Sequence, residues 1–233
     1  MDILILAQDV TWGGSTGDSV HLYSLAKHLA ARGNRLQVVA RAGGSRSAGV
    51  PQGTDLHLLR SRWNLAFGFV RRPLALRTFF RILRERRPDV VYSRGFGDPL
   101  EALAARAAGL PLVFEVNGDA LAEAALQRRT PSPRWWVQSS VAFARWGFGQ
   151  AQRLVTVTDA LRRQLTEDFA VPPGKIRVVP NGVDTELFKP VGSTEAKEKL
   201  GLPPGVPVFV VVGNLAPWQG GDSILHGVSE HRK

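Results

Sequence analysis

The first apolar run, Asp2 to Ala7, is uninterrupted and of strand length, which predicts a strand buried on both faces. After the loop Trp12-Gly13-Gly14-Ser15-Thr16-Gly17-Asp18, residues Val20, Leu22, Leu25, Ala26 and Leu29 recur at helical spacing, and Gly33 supplies a stop. Leu36 to Ala40 is the next strand. Strand, helix and strand in that order make a βαβ unit, whose strands are parallel and whose helix covers the sheet. The alternation continues with a short strand at His57–Leu59, a helix from Leu74 to Arg87 ended by Pro88, and a strand at Val90–Tyr92. A helix at Leu100–Ala108, closed by Gly109, leads to a strand at Leu112–Val116. A helix-rich stretch from Ala120 to Arg153 is interrupted at Thr130–Pro133. Then come a strand at Leu154–Val157, a helix at Asp159–Asp168 and a strand at Ile176–Val179. The pattern predicts an α/β fold with a doubly wound, Rossmann-like parallel sheet.

The grammar changes after Phe188. Residues 1–188 form the expected first domain, and 189–206 a linker that opens at Lys189-Pro190-Val191-Gly192-Ser193 and holds one short helix near Glu195–Leu200. Val208–Val212 followed by Gly213 repeats the strand-then-glycine opening of the chain, so 207–233 reads as the start of a second domain of the same kind. A lone strand cannot bury a core, which makes a fragment or a docked strand the two expectations.

Composition narrows the setting. The chain has 233 residues, 44% of them hydrophobic, and no cysteine, which excludes disulfides and thiolate metal sites and suits a reducing compartment. No apolar run reaches the roughly 18 residues of a membrane span, and the amino terminus lacks a basic leader, so the cytoplasm is expected. The formal charge of +10 is concentrated: nine Arg and one Glu lie between Arg60 and Arg87. Trp63, Phe67, Phe69, Phe79 and Phe80 are interleaved with these arginines, and Trp135, Trp136, Phe143 and Trp146 lie near Arg134 and Arg145. Such stretches either fill a core or meet an anionic membrane surface. Nucleic acid has only the charge in its favour and is not expected as a partner.

The glycine loop sits between a strand's carboxyl end and a helix amino terminus, where backbone N–H groups and the helix dipole favour an anion. It suits a diphosphate at Gly14 and Gly17, or it is a plain tight turn. A nicotinamide fingerprint fits less well. Its first glycine place holds Trp12, and the acid wanted at the end of the second strand is replaced by Arg41. No Walker sequence occurs, and His21, His28, His57, His226 and His231 show no metal-ligand spacing. No metal site and no cofactor are expected.

The most specific stretch is Lys175-Ile176-Arg177-Val178-Val179-Pro180-Asn181-Gly182-Val183-Asp184-Thr185-Glu186-Leu187-Phe188. By local chemistry it is a strand leaving through an Asn-Gly turn, with Asp184 capping the next turn and Phe188 packing back on the core. As a whole it resembles the hallmark that closes the amino-terminal domain in family 4 glycosyltransferases of the GT-B fold, beside the interdomain cleft. Gly17-Asp18-Ser19-Val20-His21, Asp89–Arg94, Pro111–Gly118 and Val155–Asp159 resemble further family segments in order and spacing. Gly213-Asn214-Leu215-Ala216-Pro217-Trp218-Gln219-Gly220 is similar to the segment opening the family's second domain, with Asn214 and Gln219 where an Arg and a Lys usually stand.

The resemblance implies retaining transfer of a hexosyl group from a nucleotide-diphosphate sugar to an acceptor hydroxyl, without a required metal. It implies donor diphosphate contacts at Gly14, Gly17, Gly213, Asn214 and Gln219. It places Asp18, His21, Arg94, Glu115 and Asn117 on the acceptor side, and Asn181, Gly182 and Asp184 at the interdomain cleft. Asn117 stands where many relatives carry a histidine. Partners would be the donor, a sugar or lipid-linked acceptor, and an anionic membrane surface on the inner face. The family's Glu-x7-Glu donor motif does not occur after residue 200. The chain alone is therefore expected to transfer no sugar, and turnover above a buffer control in a donor-hydrolysis and transfer assay would overturn this. A non-catalytic acceptor- or membrane-binding module is the alternative, and a nicotinamide-dependent oxidoreductase domain a lesser one.

Overall fold

The computed structural model describes residues 1–43, 49–59, 68–119, 133–212 and 220–230. Seven parallel strands lie in the order β3-β2-β1-β4-β5-β6-β7. They are β1 (Asp2–Thr11), β2 (Arg35–Arg41), β3 (Thr54–Leu59), β4 (Val90–Ser93), β5 (Leu112–Val116), β6 (Arg153–Thr156) and β7 (Ile176–Val178). The order runs outward from β1 in both directions, so the winding reverses between β1 and β4. Ligand crevices of open α/β sheets lie at the carboxyl ends of the strands at such a reversal. The connecting helices are α1 (Gly17–Ala31), α2 (Gly68–Glu85), α3 (Pro99–Ala107), α4 (Arg134–Gln150) and α5 (Asp159–Glu167).

Two cores flank the sheet. On one side Phe79 and Ile82 of α2, Ala104 and Ala105 of α3, and Phe148 of α4 pack on Leu4, Leu6, Phe114 and Leu154. On the other, Leu22 and Ala26 of α1 pack on Ile3, Ile5 and Val38. The alternation of Ile3 and Ile5 against Leu4 and Leu6 divides one strand between two cores, which is why β1 reads as continuously apolar. Rings of Phe96, Phe114 and Phe169 all stand edge-on to Phe148 at centroid distances of 5.3, 5.8 and 5.7 Å.

Several expectations shift. α2 begins before Leu74 and carries Pro73 inside it, where a boundary is the ordinary inference from a proline. Gly17 and Asp18 belong to the first turn of α1 rather than to the loop. The expected helix before Pro133 falls partly on residues 120–132, outside the described residues.

Residues 180–212 and 220–230 belong to a second compact unit. Asp184 Oδ1 accepts from the N–H groups of Glu186 and Leu187, the predicted cap. Phe188 does not pack back on a core: it is 66% exposed. The short helix α6 spans Ser193–Lys199, and α7 spans Gly221–Glu230. Residues 208–212 form no strand, and Phe209 and Val212 are exposed. A β-branched run becomes a strand only when a neighbour takes its N–H and C=O groups, and none of the described strands does so here.

Helix α4 meets the loop after β4 backbone to backbone. A Cβ placed on Gly147 would stand 2.2 Å from the Gly97 carbonyl oxygen, and one on Gly97 would stand 2.6 Å from that of Ala144. Gly97 also has φ +63°, which disfavours any side chain. Helix propensity alone makes Gly→Ala favourable by about 1 kcal/mol. Chemical denaturation will therefore separate two neighbours: Gly149→Ala, with nothing within 4 Å, gains a few tenths of a kcal/mol or more, whereas Gly147→Ala loses about 1–3 kcal/mol through overpacking.

Candidate functional site

Three elements converge at the reversal between β1 and β4. Helix α1, entered from β1, presents His21 one turn in. The chain leaving β4 presents Arg94, whose backbone N–H donates to the Leu6 carbonyl at 2.8 Å. Strand β5 presents Glu115 near its carboxyl end and Asn117 just beyond it. Arg94 is bound at both ends, its Nε 3.4 Å from Glu115 Oε2 and its Nη1 donating to the Asp18 carbonyl at 2.8 Å. His21 Nε2 lies 2.7 Å from Glu115 Oε1, an ion-pair distance away from the hydrogen-bond line. Asn117 Nδ2 donates to the same oxygen at 2.7 Å.

Glu115 is the pivot of this group. Its side chain is 3% exposed and that of Arg94 6%, whereas His21 is 30% exposed. Burial is the largest single influence on the carboxyl and pushes its pKa up. The His21 contact, the Arg94 charge and the Asn117 hydrogen bond together outweigh burial and hold the pKa at about 2. Glu115 is thus a fixed anion in a nearly dry place. Tyr92 lies two residues before Arg94, where strand periodicity puts both on one face. Burial first, then the charge and hydrogen bond of Glu115, push its phenol well above the usual range, so it stays protonated.

Asp18, His21, Arg94, Glu115 and Asn117, expected on one side of a site, are thus brought together. Gly14 and Gly17 lie close by at the start of α1. A Cβ on Gly14 would stand 2.6 Å from Ser19 Oγ, so the tight turn requires glycine there, whereas Gly17 faces open space. Arg41, which occupies the ribose-acid position of a nicotinamide site, donates to Thr11 Oγ1 from Nε at 2.9 Å and from Nη2 at 2.6 Å. Asn181, Gly182 and Asp184 belong to the second unit. Gly213, Asn214 and Gln219 lie outside the described residues.

Sequence reasoning missed a second buried polar group behind β4. Glu101 of α3 is 5% exposed and accepts from Gln8 Nε2 at 3.1 Å and from Ser93 Oγ. Asp98 caps α3 through the N–H groups of Leu100 and Glu101. Ser93 faces away from Tyr92 and Arg94, so the network holds the tip of β4 from the opposite side. The available signal was a Glu three residues after an Asp N-cap, which reads equally well as a solvated first turn.

The depressed pKa of Glu115 makes stability fall in acid. The group contributes fully above its unfolded value of 4.5, and this contribution is lost as pH falls towards about 2. The span corresponds to on the order of 3 kcal/mol. Glu115→Gln will be destabilised most at pH 6, and its deficit against the parent will shrink progressively between pH 5 and pH 2 in urea titrations.

Comparison with known proteins agrees with this geometry. The sequence profile described as Glycosyltransferase Family 4 matches residues 15–187, a span that includes His21, Arg94, Glu115 and Asn117. The chain is 34% identical to the D-inositol 3-phosphate glycosyltransferase of Acidothermus cellulolyticus over 149 residues, which cover 61% of this chain and 32% of the relative. It is 29% identical to the enzyme of the same name from Nocardioides sp. over 235 residues, covering 94% of this chain and 50% of the relative. The chain therefore spans half or less of the length of these curated relatives. Among solved structures, a glycosyltransferase from Rickettsia africae superposes with a TM-score of 0.62 at 16% identity, covering 98% of this chain and 57% of that one. WaaG, a glycosyltransferase involved in lipopolysaccharide biosynthesis, gives 0.61 at 17% identity, covering 87% and 52%. At these identities the structures speak for the fold, which is that of the first half of a GT-B glycosyltransferase. With three-quarters of its length inside the family profile, the chain belongs to glycosyltransferase family 4.

Proposed function

We propose that this chain supplies the acceptor-side domain for retaining transfer of a hexosyl group from a nucleotide-diphosphate sugar to an acceptor hydroxyl. The observation that carries the reading is the anchored carboxylate of Glu115, with His21, Arg94 and Asn117 around it, at the reversal of the sheet. Glu115 orients rather than reacts: a carboxyl held at about 2 and almost dry is a poor base near neutral pH. Its contact with Nε2 leaves the other nitrogen of the His21 ring to face the crevice, where it can bond an acceptor hydroxyl. Exposed Asn117 offers an amide beside it.

On the donor side, charge accumulates on the leaving diphosphate as the glycosidic bond breaks, and N–H groups aimed at it stabilise that charge. Gly14 and Gly17 at the start of α1 would contribute from this domain, with Gly213, Asn214 and Gln219 on the donor side and Asn181, Gly182 and Asp184 at the cleft. The acceptor class is a sugar or polyol hydroxyl, free, phosphorylated or carried on a lipid. The names of the two curated relatives favour a phosphorylated polyol. A lipid-carried acceptor would place the domain on the cytoplasmic face of a membrane. No helix among the described residues is long and apolar enough to cross one.

The test is an NMR titration of the purified chain with hexoses, inositol 3-phosphate and UDP- and GDP-hexoses, following the His21 ring and Arg94 guanidinium signals. An acceptor will move the His21 signals, and His21→Ala and Asn117→Ala will each weaken it about tenfold, roughly 1.4 kcal/mol. The reading fails if no acceptor moves His21, or if both variants bind as tightly as the parent.

A further inference from the structure

Helix α4 is patterned the wrong way round for a surface helix. Its inward side is small or snug: Ala144, Gly147 and Phe148 are buried. Its outward side carries Trp135, Phe143 and Trp146, which are 67%, 60% and 41% exposed. At 100° per residue Trp135, Ser139, Ala142 and Trp146 form one stripe opposite the buried one, with Phe143 at its margin. Isolated exposed hydrophobics are ordinary on a folded surface, but an aligned aromatic stripe marks a surface that meets something.

The position of the helix adds to this. Its carboxyl end is fixed at the amino ends of the strands, where Gln150 Oε1 accepts from Arg106 and Gln152 Oε1 from the Leu112 N–H. Seventeen helical residues span about 25 Å, whereas the five of β5 span about 17 Å. The first turns of α4 therefore reach past the carboxyl edge of the sheet, the edge that holds His21, Arg94 and Glu115. Val137 fits this placement. It lies on the inward side, in line with Ala144 and Phe148, yet it is 41% exposed because no sheet underlies it.

Charge selects the partner. Helix α4 contains Arg134 and Arg145 and no Asp or Glu. Helix α3 packs against both α4 and α2 on the same face of the sheet and adds exposed Leu103 and Arg106. Helix α2 adds exposed Arg77 and Arg84, with Glu85 the one acid along it. Glu167 and Asp168 at the end of α5 bound the face on its far side, and Asp168 accepts from Arg145 through its backbone carbonyl. Tryptophan and phenylalanine flanked by arginine suit the boundary between lipid headgroups and acyl chains, where rings enter and guanidinium groups meet lipid phosphates.

We propose that the outward face of the α2–α3–α4 layer docks on an anionic lipid bilayer, with Trp135, Phe143 and Trp146 inserted at the headgroup level and Arg77 and Arg84 holding the surface electrostatically. The overhang brings the carboxyl edge of the sheet, and with it the His21 crevice, next to the membrane. The proposal stands apart from the transfer reading because binding is measured on the chain with neither donor nor acceptor.

The experiment is cosedimentation with vesicles of phosphatidylcholine alone and of phosphatidylcholine with one third phosphatidylglycerol. Chain stability is followed in parallel by circular dichroism. The chain will pellet with the anionic vesicles, with an affinity at least tenfold above that for the neutral ones. Trp135→Ser with Trp146→Ser will lower the affinity at least tenfold without changing the melting curve, since both side chains are exposed. Arg77→Gln with Arg84→Gln will lower it less at high salt than at low salt, because added salt already screens those charges. Should the double tryptophan variant not fold, Phe143→Ser alone serves the same comparison. Equal binding to both vesicle types, undiminished binding by the folded aromatic variants, or a dimer in solution that those variants convert to monomer would each overturn the proposal.

Discussion

A carboxylate taken out of water demands compensation, and the way this chain compensates Glu115 organises much of what surrounds it. Charge burial costs several kcal/mol unless cations and donors are supplied at close range. Here they come from three separate elements: Arg94 from the exit of β4, His21 from α1 and Asn117 from the end of β5. The arginine in turn reaches the Asp18 carbonyl in the first turn of α1. One carboxylate thereby locks the relative positions of a helix start and two strand ends. In parallel sheets these are the three kinds of position that face a ligand.

The two polar groups around β4 divide the labour. Glu101, Gln8 and Ser93 form a group that is closed and buried, and it fixes the strand tip from the side of the larger core. Glu115 and Arg94 form a group that opens outward through His21 and Asn117. A strand of four residues could not hold a guanidinium in place by its own ladder bonds. It is held because side chains on both faces of its last turn of chain are engaged.

The alternating order of strands and helices was legible because buried parallel strands are continuously apolar and the helices between them carry a 3.6-residue stripe. Leu112–Val116 was placed residue for residue, and the seven strands were all foreseen. The failures have distinct causes. Val208–Val212 has strand composition, but pairing is a property of neighbours and not of the segment. Phe188 was expected in a core because aromatic residues usually are, and here it stays exposed. Within the site, the five acceptor-side residues came from family likeness, while local chemistry alone singled out only His21 and the glycine loop. Tyr92 was within reach through its two-residue offset from Arg94. Glu101 was not, since nothing in a helical first turn tells which way a glutamate will face.

The contact between Gly97 and Gly147 has a consequence for how the sequence can vary. Each residue occupies space that the other's side chain would need, so the two positions, fifty residues apart, form a single unit of choice. A change at one cannot be rescued by shrinking the other, because neither has anything left to remove. Drift through neighbouring sequences is therefore blocked at this point, and the seam between α4 and the loop carrying Arg94 is inherited whole or rebuilt entirely.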